Sequence, residues 1–521
     1  MSFDTQPVVK LEGVITQPYD LAVATARTCY SSKGIIKVAD VSATEKSRVL
    51  RDKIADSTRE AGHLTTRQHA HFVFSLDKVS RQFIWSFLHS HPYYNSEQVS
   101  QRYVKVAPGN YTVPNLPAPQ KKRFIAALDA QVQDYQQLIE LSLPEIEKRY
   151  FAVFPFRKTT ADKYKPALLK RAYEVARYAL GVATHAYLYH TVSALTLMRY
   201  YRLSHGFEAT EETRMVVQMM VDEVVKIDPL FAKDLIDPVP LEQTDEYKLM
   251  QAFKCDLTAP VSHEFISEFD ASLDGRYALL TDYKINAETS LADSVRSVFG
   301  LTRGQMSDDA ALEALLNPAI NKSFSDTLNI NTLSKLNRTM FHPHYTFRKK
   351  ISHTADSQDQ RHRMVPGSRP ILWRHYTGQP DYIVPMVIKE NDTLHDAYRK
   401  SMTRSFSAIN ELLNDGVKPD DALYLLPNAF PIRFEESGDL LNLHHKWKAR
   451  SCYTAQEEIY FATLDELEQV KAVHPRIARH ILAPCYLRKA AGVKPYCPEG
   501  DRFCGVRVWQ QDLDAYRGRT L

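Results

Sequence analysis

The sequence predicts an α/β (α+β) chain assembled from two copies of one unit, and three observations carry that reading. Short aromatic runs of strand character stand in each half, His71-Phe-Val-Phe-Ser-Leu76 and His344-Tyr-Thr-Phe347. Long segments with apolar residues at helical spacing accompany them. Five segments recur in the second half in the order they hold in the first, which marks an internal duplication.

Taken in order, Leu21–Tyr30 is an Ala-rich helical segment ending in a small polar loop. Gly62-His63-Leu-Thr65-Thr-Arg-Gln-His69 leads into Phe72-Val-Phe74, a buried strand. Val79-Ser80-Arg81 then opens a helix with Phe83, Ile84, Phe87 and Leu88 on its apolar face. Residues 121–150 form an amphipathic helix along Phe124, Leu128, Val132, Tyr135 and Leu138. A further helical region starts near Pro166 and contains Glu174-Val-Ala176-Arg177. Asp228-Pro229, Asp237-Pro-Val-Pro240 and Ala259-Pro260 then interrupt regular structure. The domain boundary is set there, giving units 1–270 and 271–521. In the second half, Leu291–Phe299 echoes the first helix, and Ile351-Ser352-His353 stands 272 residues beyond Val79-Ser80-Arg81. A helix through Met402, Phe406, Ile409 and Leu412 precedes Ala422-Leu423, the counterpart of Ala176-Arg177.

Composition narrows the function. The 521 residues carry 66 basic and 62 acidic side chains, a net charge of +4 that gives no strong nucleic-acid signal. Met1-Ser-Phe-Asp has neither the basic flank nor the apolar core of a signal peptide, and no stretch has the apolar length of a membrane span. Six cysteines in so long a chain point to a reducing, cytoplasmic setting.

The chemistry concentrates at Arg361-His362-Arg363, two permanent cations around a titratable ring. Gln358 shares their face if the segment is helical, and Ser368 and Arg369 follow. Such a trio is either a solvated basic patch or an anion clamp for phosphates or an electron-rich ring.

With these motifs the chain resembles the flavin-dependent thymidylate synthases, as a tandem fusion of two divergent copies. That family carries a G-H-x-T-x-x-x-H box, an F-x-F strand, V-S-R, an R-H-R followed by a serine and another arginine, and an E-V-A-R segment. The first copy keeps the box (His63, Thr65) and a version of the distal tail, Ser96-Glu97-Gln98-Val-Ser100-Gln-Arg102-Tyr103. Its R-H-R becomes His89-Ser90-His91. The second copy keeps Gln358, Arg361, His362 and Arg363. The family's N-A-R becomes Ser193-Ala194-Leu195 in one copy and Asp439-Leu440-Leu441 in the other.

The resemblance implies two thymidylate-synthase-complementing-protein-like domains, each a mixed sheet with long flanking helices. It also implies reduction of FAD by NADPH and methylation of dUMP with methylenetetrahydrofolate. The family's tetramers share active sites between subunits, so a fused pair implies a homodimer mimicking a tetramer. By the same resemblance His63, Thr65, Gln358, Arg361, His362, Arg363 and Ser368 hold the flavin. Glu97, Gln98, Arg102, Tyr103 and Arg177 hold the nucleotide, and Ser100, Arg102 and His362 are catalytic. The alternatives are a flavin- or metal-dependent enzyme of the same fold acting on another substrate, and a non-catalytic nucleotide-binding scaffold.

Cys485, Cys497 and Cys504 lie among Pro and Gly near the C-terminus, with Cys452 or His480 as a fourth candidate. Thiolates on loops suit structural zinc, and an iron–sulfur cluster fits the same ligands. The alternative is ordinary reduced, partly buried cysteines. The adjacent pair His444-His445 reads as packing and surface.

Overall fold

The computed structural model describes residues 6–88, 91–207, 210–257 and 260–520. The chain forms two compact units. The first comprises Met1–Val132, Gly181–Ala259 and Ser407–Leu426, and the second Gln133–Leu180, Pro260–Phe406 and Pro427–Leu521. Each unit therefore includes a segment from the opposite half of the sequence.

The first unit holds a four-stranded sheet of order β1-β2-β4-β3, with β1 Val8–Val14, β2 His71–Ser80, β3 Tyr94–Gln98 and β4 His185–Ser193. The second holds β5 Ala278–Tyr283, β6 His344–Ser352, β7 Gly367–Ser368 and β8 Pro431–Asp439, in the corresponding order β5-β6-β8-β7. The duplicated α+β reading holds at the level of topology.

Every pairing in both sheets is antiparallel, where a mixed sheet was expected. The burial pattern gives the reason. Along β2 the buried residues Phe72, Phe74 and Leu76 alternate with more exposed ones, the signature of a sheet with one face open to solvent. Strand β2 also carries a register shift between Leu76 and Val79, with Lys78 at φ 55, while β6 pairs with β8 without a shift. This bulge supplies the one extra residue of β2, so His71 matches His344 and Ser80 matches Ser352.

The same carboxylate device closes each unit. In the first, Ser80 donates its N–H (2.7 Å) and Oγ–H (2.6 Å) to Glu212, near the start of helix Glu211–Ile227. Tyr424 adds a third hydrogen bond at 2.7 Å. In the second, Ser352 donates its N–H and, at 2.6 Å, its Oγ–H to Glu458, and Tyr178 donates at 2.5 Å. Each serine also caps the helix that follows it, Ser80 through Phe83 N–H and Ser352 through Ala355 N–H. The tyrosine comes each time from the segment contributed by the other half of the sequence. Glu212 and Glu458 are almost wholly buried, so each carboxylate depends on these donors.

Replacing Tyr178 or Tyr424 with Phe therefore removes a donor from a buried carboxylate. Each substitution is expected to lower stability by about 1–3 kcal/mol in urea unfolding of the full chain. An unchanged midpoint for both variants would show that the tyrosines do not hold the units closed.

Candidate active site

The second unit carries the Arg361-His362-Arg363 trio just beyond helix His353–Asp359. A tight turn fixes it there: His362 N–H donates to the Asp359 carbonyl (3.0 Å) and Val365 N–H to the His362 carbonyl (2.8 Å). All three side chains line one cavity of about 360 Å³, a size that suits a small-molecule ligand. Opposite them stand Leu441, Asn442 and His445 of helix Leu440–Arg450. Asn329, Asn331 and Thr332 complete the lining. An amide relay holds that lip. Buried Asn337 donates to Asn331 Oδ1 (2.7 Å), and Asn331 donates to Asn329 Oδ1 (2.8 Å), with Asn329 itself at φ 53.

His362 is held in one form. Arg450 Nε–H donates to its Nε2 at 2.9 Å. A neutral ring that accepts at Nε2 carries its proton on Nδ1. Burial, then the Arg450 guanidinium, keeps the ring's pKa well below the ordinary imidazole value.

Gln358 was expected to touch the cofactor, yet it is not among the residues lining the cavity. Its side-chain amide donates to Gln456 and its carbonyl accepts from Arg450 Nη2 (2.7 Å), so it sets the arginine that sets His362. Gln456 in turn donates to Tyr178, which joins this relay to the Glu458 carboxylate. Ser368 is exposed on β7, paired with Glu435, and likewise does not line the cavity. The side chain of its neighbour Arg369 is buried, forked onto Asp356 and stacked on Phe434 at 4.5 Å.

The nucleotide-side residues are distributed differently from the sequence expectation. Arg102 belongs to the first unit and Arg177 to the second, the same unit as Arg361–Arg363. Arg177 is 4% exposed, and its charge stabilises the Glu458 carboxylate. In the first unit, Arg102 N–H donates to Ser100 Oγ (3.3 Å) and its guanidinium lies 5.6 Å from the Tyr103 ring centroid. Glu97 is exposed, whereas Gln98 accepts from Arg81 at 2.7 Å. His63 and Thr65 are exposed at the start of the turn Leu64–His69. The most deeply set cation of that box is instead Arg67, forked onto buried Asp234 at 2.8 and 3.1 Å. Of His89-Ser90-His91, the first two lie outside the described residues, and His91 Nε2 lies 2.7 Å from the Tyr200 hydroxyl.

Cys452, Cys485, Cys497 and Cys504 line one small cavity, but as free thiols. Among the described residues, no group of three or more His, Cys, Asp or Glu is placed to hold a metal ion, which leaves the zinc expectation without support. Cys504 donates to the Val506 carbonyl (3.6 Å), Cys452 lies against Thr454 Oγ1 (3.2 Å), and His480 faces Glu313. Burial, then the neighbouring cysteines, pushes the Cys485 thiol up to about 12, and burial pushes Cys504 to about 11.

The sequence reading missed Asn442 and His445. Their signal was available: Leu441, Asn442 and His445 fall on one face of a helix at one-turn spacing. His444, by contrast, packs on Phe324 with ring centroids 4.5 Å apart, as expected.

Two antiparallel α+β units of matching strand order, one of them carrying an R-H-R cavity, define the class of fold. The chain belongs to the thymidylate synthase complementing protein family, whose model matches residues 10–230 and 280–476. Similar proteins include a flavin-dependent thymidylate synthase of Clostridium tetani, 27% identical over 224 residues, covering 42% of this chain and 83% of that protein. One of Geobacter sulfurreducens is 30% identical over 168 residues, covering 32% and 69%. One of Pyrococcus furiosus is 27% identical over 168 residues, covering 30% and 67%. No helix among the described residues is long and apolar enough to cross a membrane.

Buried neutral imidazoles make the fold acid-sensitive. Burial, aided by Arg433 and Arg374, pushes His375 down to about 3. Burial, aided by Lys448, does the same to His444. Unfolding returns both to about 6.5, so below that pH the unfolded chain binds more protons and stability falls. Each ring is expected to remove about 2 kcal/mol between pH 7 and pH 5. Urea unfolding at both pH values checks this, and His444→Gln should flatten the dependence.

Proposed function

We propose that the chain is a divergent FAD-dependent enzyme that reductively methylates dUMP or a related nucleotide, using methylenetetrahydrofolate and NADPH. The observation that carries this is the single cavity bringing Arg361, His362 and Arg363 together with Asn442 and His445. These residues fit a flavin: two guanidinium forks for anionic oxygens, amides for a polar ring edge, and the imidazoles of His362 and His445. Bound FAD supplies the electrons that turn a transferred one-carbon unit into a methyl group.

The chain's own residues prepare that chemistry. Arg361 and Arg363 are permanent cations placed where negative charge on a reduced ring or a phosphate is stabilised. His362, fixed by Arg450 as its Nδ1–H form, donates a hydrogen bond without adding charge. Ser100, Arg102, Tyr103 and Glu97 remain the proposed nucleotide-side residues, by resemblance. Arg177 is proposed to act through Glu458 rather than by direct grip, in keeping with its burial. Two family segments in one chain support a duplicated origin, with copies 1–270 and 271–521; a homodimer in place of a tetramer is proposed by resemblance alone. A reducing, cytoplasmic location is proposed from the free cysteines.

One observation favours a second reading, in which the same flavin site serves another substrate. Leu441, which replaces the arginine of the family's N-A-R, lines the cavity, and its counterpart Leu195 is buried. An apolar side chain cannot fork onto a phosphate or a pyrimidine carbonyl.

Tritium release from labelled dUMP separates the two. The first reading expects release dependent on NADPH and methylenetetrahydrofolate, reduced at least about 100-fold in Arg361→Ala/Arg363→Ala from the loss of two charged hydrogen-bond forks. FAD binding without any release supports the second reading. Absence of FAD binding contradicts both.

A further inference from the structure

Beneath the R-H-R cavity the second unit buries five ionisable side chains: Lys349, Asp359, Glu436, Lys446 and Glu466, each with a fully buried side chain. Lys349 Nζ lies 2.5 Å from Asp359, 2.9 Å from Glu436 and 2.9 Å from Glu466. Lys446 Nζ reaches the same three carboxylates at 3.1, 2.5 and 3.5 Å. Trp447 Nε1–H adds a hydrogen bond to Glu466 at 2.6 Å.

The first unit shows what the fold requires at these positions. Lys349 on β6 answers to Leu76 on β2, and Glu436 on β8 to His190 on β4. Asp359 stands as far beyond Ser352 as Phe87 does beyond Ser80. Lys446 matches Tyr200, counted from the helix caps Asp439 and Ser193, and Glu466 matches Met220, counted from Glu458 and Glu212. All five counterparts are buried, and they pack as an uncharged cluster. Phe87 and Tyr200 have ring centroids 4.3 Å apart, and His190 Nε2 lies 3.2 Å from the Tyr200 hydroxyl. One copy thus builds the same interior without lysines or carboxylates. Apolar packing of equal volume is commonly no less stable than a buried ion network, so stability alone does not account for the charges in the other copy.

Their placement does. Asp359 ends helix His353–Asp359, immediately before the turn that presents Arg361–Arg363. Lys446 follows His445 and shares its helix with Leu441 and Asn442, the facing wall of the cavity. Each lysine binds carboxylates from the elements that form or support those walls. We propose that the five-charge cluster is a positioning device, locking the R-H-R turn and helix Leu440–Arg450 into one relative placement so that the cavity is pre-shaped for its anionic ligand. The identity of that ligand as FAD rests on the function proposed above.

The test transplants the first unit's interior: K349L/D359F/E436H/K446Y/E466M in the full chain. The expected result is a melting temperature close to wild type with FAD affinity, by equilibrium dialysis, at least about tenfold weaker, the usual scale when a supporting shell loosens. A second readout needs no ligand. In ¹³C-histidine NMR, the His362 resonance, assigned with His362→Gln, should titrate closer to its ordinary value of about 6.5 once Arg450 and burial no longer hold it. Asp359, Lys446 and Arg450 are the charged groups, and His445 the titratable one, that act on that ring. If the five-fold variant does not fold, Glu436→Gln/Lys446→Met removes one charge of each sign, and Lys446→Arg should restore both readouts. Unchanged FAD affinity together with an unchanged His362 titration would overturn the proposal. If wild type binds no FAD, the function fails on its own and the His362 titration still decides the positioning role.

Discussion

The Glu458 carboxylate is the constraint on which the second unit depends. It receives Ser352 at the end of a core strand and Tyr178 from a segment more than two hundred residues upstream. A carboxylate removed from water is tolerated only while its oxygens are occupied, so strand end, helix start and incoming segment are fixed together. From that point a chain of hydrogen bonds runs through Tyr178, Gln456, Gln358 and Arg450 to His362. The form of the imidazole in the cavity thus traces back to the interaction that closes the unit. Glu212, Ser80 and Tyr424 repeat the closure in the first unit.

The two copies show how one fold separates architecture from chemistry. Topology, strand order, helix caps and the carboxylate closure are common to both. What differs is the interior beneath the cation trio and the trio itself. Where the second copy has buried lysines and carboxylates, the first has Leu76, Phe87, His190, Tyr200 and Met220. Hydrophobic burial maintains the sheet–helix packing in either case. The ion cluster adds geometry at the cost of desolvation, which is reasonable only where a site needs it.

Much of the architecture was legible in the sequence because it rests on periodicity. The alternation in His71–Leu76 and His344–Phe347 marked the core strands, and the repeated order of segments gave the duplication. The exchange of segments was not legible, because Tyr178 and Tyr424 look like ordinary core aromatics until their partners are known. Lys349 sits on the core face of β6 where the alternation calls for an apolar residue, and only the structure supplies its counter-ions. At the site, the adjacent residues Arg361–Arg363 were readable, whereas Asn331 and His445 approach them from distant parts of the sequence. The cysteines show the converse: a suggestive spacing resolved into free thiols around a small cavity, with no metal-ligand group among the described residues.

The central claim is that the cavity formed by Arg361, His362 and Arg363 holds the flavin. A crystal structure of the protein grown with FAD tests it most directly. The expected result is flavin density in that cavity, with Arg361 and Arg363 on anionic oxygens and His362 donating from Nδ1. Flavin bound elsewhere, with this cavity holding only solvent, would contradict it.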